Sequence, residues 1–531
     1  MQQSPLVDGG HSISPSVSPS PTSSSASHQN QNQTIPAARP GDKRSPAHAA
    51  AAELDSRSKR AQVSRACQRC RNLRRACSEY RPCKRCLDQG LGEQCLVQPG
   101  PSLHVSPQST AFQRMAELLP LTVVDYCVGR FFARLYPTIP IMVPEYIAQL
   151  KLAARAGPAS EAAMEAQCLL TAMCSLVLLQ VEEPESLFLQ GLISEKNAAY
   201  GQRLFDGALA AHGSFARSSN PSLELCLLTF FLYACHGALL HHSQAFLFLR
   251  ESTTLWLLLR PCGNPSSSST SFRFLADRLF WTLLISERSH AIRYRRPVTL
   301  QITAETPSPD DNPSLAGFWT LAALFRPLDT WFISLATQSI NSPLNPGPPH
   351  PPPASQAIHA SLTYIERAIK TAINPTIPLQ DTQKANLRVT QMWLRIILWQ
   401  LRLRLGHLTT EEASPGLSEN LTYQYPLVVA RDLTLSTHHL PVDSIKVHGV
   451  GLTEKLFDIA SAMVDVLARI PIAKEGARVA REVGNDSWAG RSRSNPEDDL
   501  KYLRRLITQL PGGKAIYDEL LRKHLQQAMP G

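Results

Sequence analysis

Six cysteines between residues 67 and 95 constrain this chain more than any other feature. Cys67, Cys70, Cys77, Cys83, Cys86 and Cys95 follow the spacing C-x2-C-x6-C-x5-C-x2-C-x8-C. Two cysteines three positions apart can turn both sulfurs toward one divalent ion, and a third arriving several residues later can close round it. Two such triplets leave each half one thiolate short of the four that a tetrahedral zinc takes. The deficit disappears when two zinc ions sit side by side and share two sulfurs, so that six cysteines fill every coordination place. Coincidental spacing or unrelated buried thiols explain the pattern poorly, because two C-x2-C pairs would have to fall beside both outlying cysteines by chance.

Charge argues that this knot has a polyanionic partner. From Arg57 to Arg85 the chain carries Arg57, Lys59, Arg60, Arg65, Arg69, Arg71, Arg74, Arg75, Arg81, Lys84 and Arg85 against the single acid Glu79. The whole chain has a net charge of +10, from 53 basic and 43 acidic residues, so everything outside this stretch is balanced. A field concentrated in this way neutralises phosphates and releases their counterions, which gives salt-dependent affinity and positioning without reading bases. A purely structural zinc knot, the chief rival from the class of interaction proteins, gives no reason for the charge to gather there.

The six cysteines, the basic run Arg71, Arg74, Arg75 and Pro82 in the loop between halves resemble the fungal binuclear-zinc-cluster (Zn2Cys6) transcription factors. Cys-Gln-Arg-Cys and Cys-Lys-Arg-Cys mark the internal pseudo-repeat, each half a short helix and an extended strand in that family. The resemblance implies that Cys67 and Cys83 bridge the two metals. It also implies that the end of the first helix reads a CGG-like triplet of double-stranded DNA through the basic residue four positions after the second cysteine, here Arg74. An arginine there can bond both acceptors of a guanine edge. Asn72 is the assisting residue, and Arg65, Arg71, Arg75, Lys84 and Arg85 are the phosphate contacts. Leu73 and Ala76 stand where the family often has lysine or arginine, so fewer side chains are available for bases and phosphates. Lys43-Arg44 with Arg57, Lys59 and Arg60 fit a two-part nuclear import signal.

Around the module, residues 1–56 form a Ser, Pro and Gln-rich tail with hardly a large apolar side chain; it is expected to be disordered, because it cannot bury enough surface to offset its chain entropy. Residues 57–97 hold the basic arm and zinc cluster, 98–111 a Pro and Gly-containing linker, and 112–531 a large all-α regulatory domain. Helical periodicity is read over 123–135, 162–179, 223–239, 243–259, 274–292, 357–372, 384–405 and 451–470. Breaks fall at 263–271 (Ser-rich), 341–353 (Pro-rich, expected as polyproline II) and 484–499 (polar). The one strand signal is 298–303. Two places resemble the regulatory middle region of the same fungal factors: Arg130-Phe131-Phe132 with Pro137 to Ile141, and Glu287-Arg288 with Arg293 and Arg296-Pro297.

Other constellations favour structural roles. No Walker loop, H-E-x-x-H or G-x-S-x-G elbow occurs, so no enzyme is expected. Gly449-Val450-Gly451 reads as a loop leading into a helix, and His241-His242 and His438-His439 as surface or capping histidines. Leu387, Leu394 and Leu401 could form a homodimer seam, but Trp393, Ile396, Ile397 and Trp399 on other faces fit a helix buried within the domain better. No three-heptad repeat follows Cys95. Glu497-Asp498-Asp499 fits an acidic activation segment or a helix N-terminus that favours carboxylates. Cys127, Cys168, Cys174, Cys226, Cys235 and Cys262 read as small buried hydrophobes. No secretory signal opens the chain and the longest apolar run, 225–240, contains His236, so an intracellular protein without a membrane partner is expected. The expectation is a nuclear transcription factor that engages the transcription machinery, with the resemblance leaning toward secondary-metabolite gene clusters and sugar-utilisation genes as the alternative.

Overall fold

The computed structural model describes residues 67–78, 82–91, 95, 107–156, 160–180, 185–213, 215, 221–259, 273–310, 312–337, 352–409, 421–469 and 495–528. The tail 1–56, the arm 57–66 including Arg65, the break 263–271 and Cys262 lie outside them. The chain divides into two units, Met1–Ser102 and Leu103–Gly531. The first is built on two short helices, α1 (Gln68–Asn72) and α2 (Lys84–Asp88). Among its described residues the core is a cluster of cysteine side chains.

Among its described residues the second unit's regular elements are helices, with one isolated bridge pairing Thr409 and Thr422. Two helices act as hubs. Around α3 (Glu161–Leu179) pack Asn197–His212, α4 (Leu223–Ala238), Pro144–Ala154 and Leu121–Arg130. Enclosed on so many sides, α3 is apolar nearly all round, with Cys168, Leu169, Met173 and Cys174 buried. It is also long and apolar enough to cross a membrane, more so than 225–240, yet 83% of its apolar window is buried inside the unit.

α5 (Arg273–Tyr294) contacts α4 and the helices Ala316–Phe325 and Thr330–Thr337. The second hub, α6 (Asp381–Leu405), packs against Ala316–Phe325, Pro352–Thr371, Tyr425–Thr437 and α7 (Val450–Arg469). Its ends are specified locally. Gln380 and Gln383 form a capping box at the N-terminus, and Gly406 takes the left-handed conformation (φ +70°) that ends it. Gly317 lies close to the Gln383 side chain, where a Cβ would come 2.5 Å from Nε2 and push that amide aside.

All eight helices read from periodicity form, with ends moved by a few residues. The segment 298–303 is not a strand. The buried carboxylate of Glu287 accepts the Thr299 and Leu300 N–H groups at 2.7 and 2.8 Å, so the donors that a neighbouring strand would need are already engaged. Arg288, also buried, donates Nε to the Leu328 carbonyl at 2.6 Å and Nη1 to the Leu300 carbonyl at 3.4 Å. The Glu-Arg pair that resembles the fungal middle region thus pins two turns to α5, and Arg293 ties α5 to α7 through Glu454 (3.1 Å) and Asp458.

Helix formation reaches further than periodicity indicated. A helix Pro107–Leu118 begins inside 98–111, another (Pro352–Thr371) takes in the last two residues of 341–353, and Pro496–Thr508 begins inside 484–499. Asn495 caps that last helix by accepting the Glu497 N–H, and Glu497, Asp498 and Asp499 occupy its first turn, where the helix dipole favours carboxylates.

Leu387, Leu394 and Leu401 are at most 2% exposed, so this leucine row belongs to the core. Its neighbouring arginines are paired internally. Arg395 donates to Tyr425 Oη and Asp432, and Arg402, fully buried, meets Glu366. Cys127, Cys168, Cys174, Cys226 and Cys235 are buried free thiols.

Candidate metal and nucleic-acid site

The four sulfurs of Cys67, Cys70, Cys83 and Cys86 lie within 4.8 Å of one another, and all four residues are buried. A tetrahedron of sulfurs with metal–sulfur bonds of about 2.3 Å has edges of about 3.8 Å. The Cys70–Cys83 separation is 3.8 Å, and Cys67–Cys83 and Cys67–Cys86 are both 3.9 Å. The donor set therefore fits thiophilic tetrahedral ions such as zinc. At this spacing Cys67 meets Cys83 and Cys86, and Cys83 meets Cys67 and Cys70, across the two halves.

Backbone hydrogen bonds carry the pseudo-repeat further. The Cys67 N–H donates to Cys77 Sγ at 3.4 Å, and in the second half the Cys83 N–H donates to Cys95 Sγ at 3.1 Å. Each outlying cysteine is thereby held against the first cysteine of its own triplet. Burial raises the Cys67 thiol, but the Cys70 N–H and the thiols of Cys70, Cys95 and Cys86 outweigh it and bring the pKa down to about 6. Burial and hydrogen bonding push Cys70 up. The Cys83 N–H lowers Cys95, but burial and bonds to neighbouring thiols outweigh it and push this thiol up as well, to about 11, so a metal must displace protons from the other thiols to gain thiolate ligands.

Both helices end identically. In α1 the Arg74 N–H bonds the Arg71 carbonyl (3.0 Å) and the Arg75 N–H bonds the Cys70 carbonyl (2.9 Å). In α2 the Gly90 N–H bonds Leu87 (2.9 Å) and the Leu91 N–H bonds Cys86 (2.8 Å). This is the Schellman closure, whose pivotal residue adopts φ > 0 and is usually glycine. The second half obeys the rule with Gly90 at φ +69°, but the first places Arg74 there at φ +49°. The strained position projects the arginine sought for base reading, and it is exposed.

Arg71, Asn72 and Arg75 are exposed around the end of α1, and Lys84 and Arg85 are exposed on the first turn of α2. Sequence reasoning missed two structural contacts. Arg69 crosses between halves, donating to Gln89 Oε1 at 2.9 Å with the same nitrogen 4.0 Å from Cys86 Sγ. Ser78 Oγ accepts the Lys84 N–H at 2.9 Å beside the start of α2. The Cys-x-Arg-Cys repeat signalled an arginine in each half, but not that the two would differ, Arg85 lying exposed while Arg69 braces the module.

No protein-family model matches the sequence. The chain is 22% identical over 437 residues, 77% of its own length and 85% of the relative's, to the maltose fermentation regulatory protein MAL13 of Saccharomyces cerevisiae. It is 23% identical over 256 residues, 46% of this chain and 47% of the relative, to the probable sucrose utilization protein SUC1 of Candida albicans. Over 202 residues, 36% of this chain and 39% of the relative, it is 26% identical to the respiratory transcription factor ZNF1 of Saccharomyces cerevisiae.

Proposed function

We propose, from homology to fungal Zn2Cys6-type transcription regulators, that this chain is a nuclear, sequence-specific DNA-binding regulator of carbohydrate-utilisation genes. The observation that carries the DNA-binding part is Arg74, an exposed arginine held at φ +49° where the equivalent turn uses glycine. Names of relatives point to maltose and sucrose, which favours carbohydrate genes over the secondary-metabolite reading.

Zinc would supply the cross-links of the module, and Cys67, Cys70, Cys77, Cys83, Cys86 and Cys95 are the residues that would hold it. The protein's own residues do the recognition. Arg74 donates two parallel hydrogen bonds to guanine O6 and N7 in a CGG-like triplet, a contact worth about 1–3 kcal/mol of discrimination. Asn72 assists, while Arg65, Arg71, Arg75, Lys84 and Arg85 engage phosphates and set the register. Leu73, 56% exposed beside Arg74, offers an apolar contact to a thymine methyl flanking the triplet. The helical unit carries regulation and engagement of the transcription machinery.

Selection of bound sequences from random duplex DNA by the full chain, repeated with Arg74→Ala and at two salt concentrations, tests this reading. A CGG-like motif that disappears in Arg74→Ala is the expected result. Unselective, salt-sensitive binding by the parent chain would reduce the module to a phosphate anchor, and no binding at all would leave a structural knot.

A further inference from the structure

Among its described residues the zinc-cluster module has no apolar core beyond its cysteines, so metal–sulfur bonds and a few side-chain contacts must hold its halves at a fixed angle. The geometry points to Arg69, bonded to Gln89, as the positioning residue of this module: it offsets the negative charge of a loaded cluster at Cys86 and fixes α1 against α2, keeping the phosphate contacts in register with Arg74. The register part rests on the DNA-binding reading; the part at the metal does not.

Arg69 lies in the first turn of α1, two residues after Cys67, yet its side chain reaches the far end of the other half. Nη1 donates to Gln89 Oε1 at 2.9 Å and stands 4.0 Å from Cys86 Sγ, across 20 and 17 residues of chain. Gln89 is the residue on which α2 ends. One guanidinium thus joins the start of α1, the end of α2 and a ligand sulfur. Arg85, at the same place in the second Cys-x-Arg-Cys, is exposed, so the brace belongs to one half and not to the repeat.

Thiolate ligation makes a cation useful here. Six thiolates around two divalent ions would leave about two negative charges uncompensated, and four of the sulfurs belong to buried residues. A guanidinium is always protonated, and its fork of N–H donors can serve sulfur and oxygen acceptors together. Outer partners of metal ligands orient them and typically change metal affinity about 10- to 100-fold. Charge alone does not account for Gln89. Its carboxamide fixes where the guanidinium points, and because it ends α2, the same bond restrains α2 against α1. Arg74 stands just past α1, and Lys84 and Arg85 open α2. The spacing between base contact and phosphate contacts therefore depends on how these two short helices are set.

Three variants of the zinc-loaded full chain separate charge from restraint. Arg69→Met removes both, Arg69→Lys keeps the charge, and Gln89→Ala keeps the guanidinium but frees it. In graded chelator competition Arg69→Met should give up zinc at about a tenth of the parent's chelator concentration or less, Arg69→Lys should recover most of that loss, and Gln89→Ala should stay within about threefold of the parent. With cobalt in place of zinc, the thiolate-to-metal absorption should shift in Arg69→Met and return in Arg69→Lys. In duplex binding Arg69→Met and Gln89→Ala should each weaken affinity for CGG and scrambled duplexes alike, by about fivefold or more, with the preference between them intact. The double variant should bind no more weakly than Arg69→Met alone. Zinc retention and cobalt absorption unchanged in Arg69→Met would overturn the charge role. DNA affinity untouched by Gln89→Ala, or losses that add in the double variant, would make Arg69 a direct phosphate contact and overturn the positioning role. If the parent chain selects no duplex, the DNA reading fails by itself, while the metal measurements still decide what Arg69 does at Cys86.

Discussion

Replacing Arg74 by glycine should move stability and specificity in opposite directions. The two halves of the module close with the same pair of hydrogen bonds, and only the residue at the pivot differs, Arg74 at φ +49° against Gly90 at φ +69°. An L-residue in this conformation carries about 1–2 kcal/mol that glycine does not. Glycine returns part of that through its greater freedom in the unfolded chain, about 0.4–1 kcal/mol. The variant should therefore hold its metals as well as the parent or better, by up to about 1 kcal/mol, about fivefold in a competition with chelator. Loss of the two-bond contact to guanine should cost about 1–3 kcal/mol of selectivity, or roughly 5- to 150-fold between CGG and a scrambled duplex. Graded chelator competition on the zinc-loaded full chain reads the first quantity, and competition binding with the two duplexes reads the second. The mirror variant Gly90→Ala should give up metal more readily. If Arg74→Gly loses zinc more easily than the parent, the arginine contributes to the fold instead of being strained by it. If the variant keeps its triplet preference, the base-reading role is refuted.

Further outcomes follow from the same geometry. Complete chelation should abolish DNA binding and unfold residues 67–95 while leaving the helical circular dichroism nearly intact, because thiolate ligation supplies most of so small a module's folding free energy; DNA binding that survives chelation contradicts the cluster. Burial lowers His236, His290 and His448 from 6.5 to about 4. The unfolded chain then takes up protons that the folded one refuses, so stability is full above about pH 6.5 and falls as pH drops toward 4. The limiting slope is about 1.4 kcal/mol per pH unit for each of these histidines. Urea midpoints at pH 7, 6 and 5 measure this, and a flat profile would contradict neutral burial. Arg402→Met alone should cost at most about 3–5 kcal/mol, because the buried Glu366 carboxylate loses its closest cation but keeps Lys370 Nζ at 3.3 Å and the Tyr425 hydroxyl at 3.0 Å, while Arg402→Met with Glu366→Leu should recover part of that loss in the same urea series.

Local information carried the metal site and the long helices. The six-cysteine spacing is legible because each C-x2-C pair sits on one short turn, while the tetrahedral-edge distances join sulfurs of opposite halves, 13 to 19 residues apart. Helices such as α3 and α6 announce themselves through a repeating apolar face. Shorter ones did not. Thr330–Thr337 and Val442–Lys446 offer at most a few turns of pattern, and the acidic start of Pro496–Thr508 reads equally as a polar break until Asn495 is seen to cap it.

What the sequence by itself determined is therefore what neighbouring residues settle among themselves: a paired-thiolate knot carrying all the net charge, and an all-α partner unit. Tertiary structure decided the remainder. It turned 298–303 from an apparent strand into a loop by presenting the Glu287 carboxylate to its N–H groups, and it buried the Leu387, Leu394 and Leu401 row beneath neighbouring helices. It also brought His290 onto Phe246, 44 positions away, in a stack with an interplanar angle of 11°. The physical reason is range. Ligand spacing and helical periodicity are encoded within one or two turns of chain, whereas burial, partner choice and empty volume exist only after distant segments have packed.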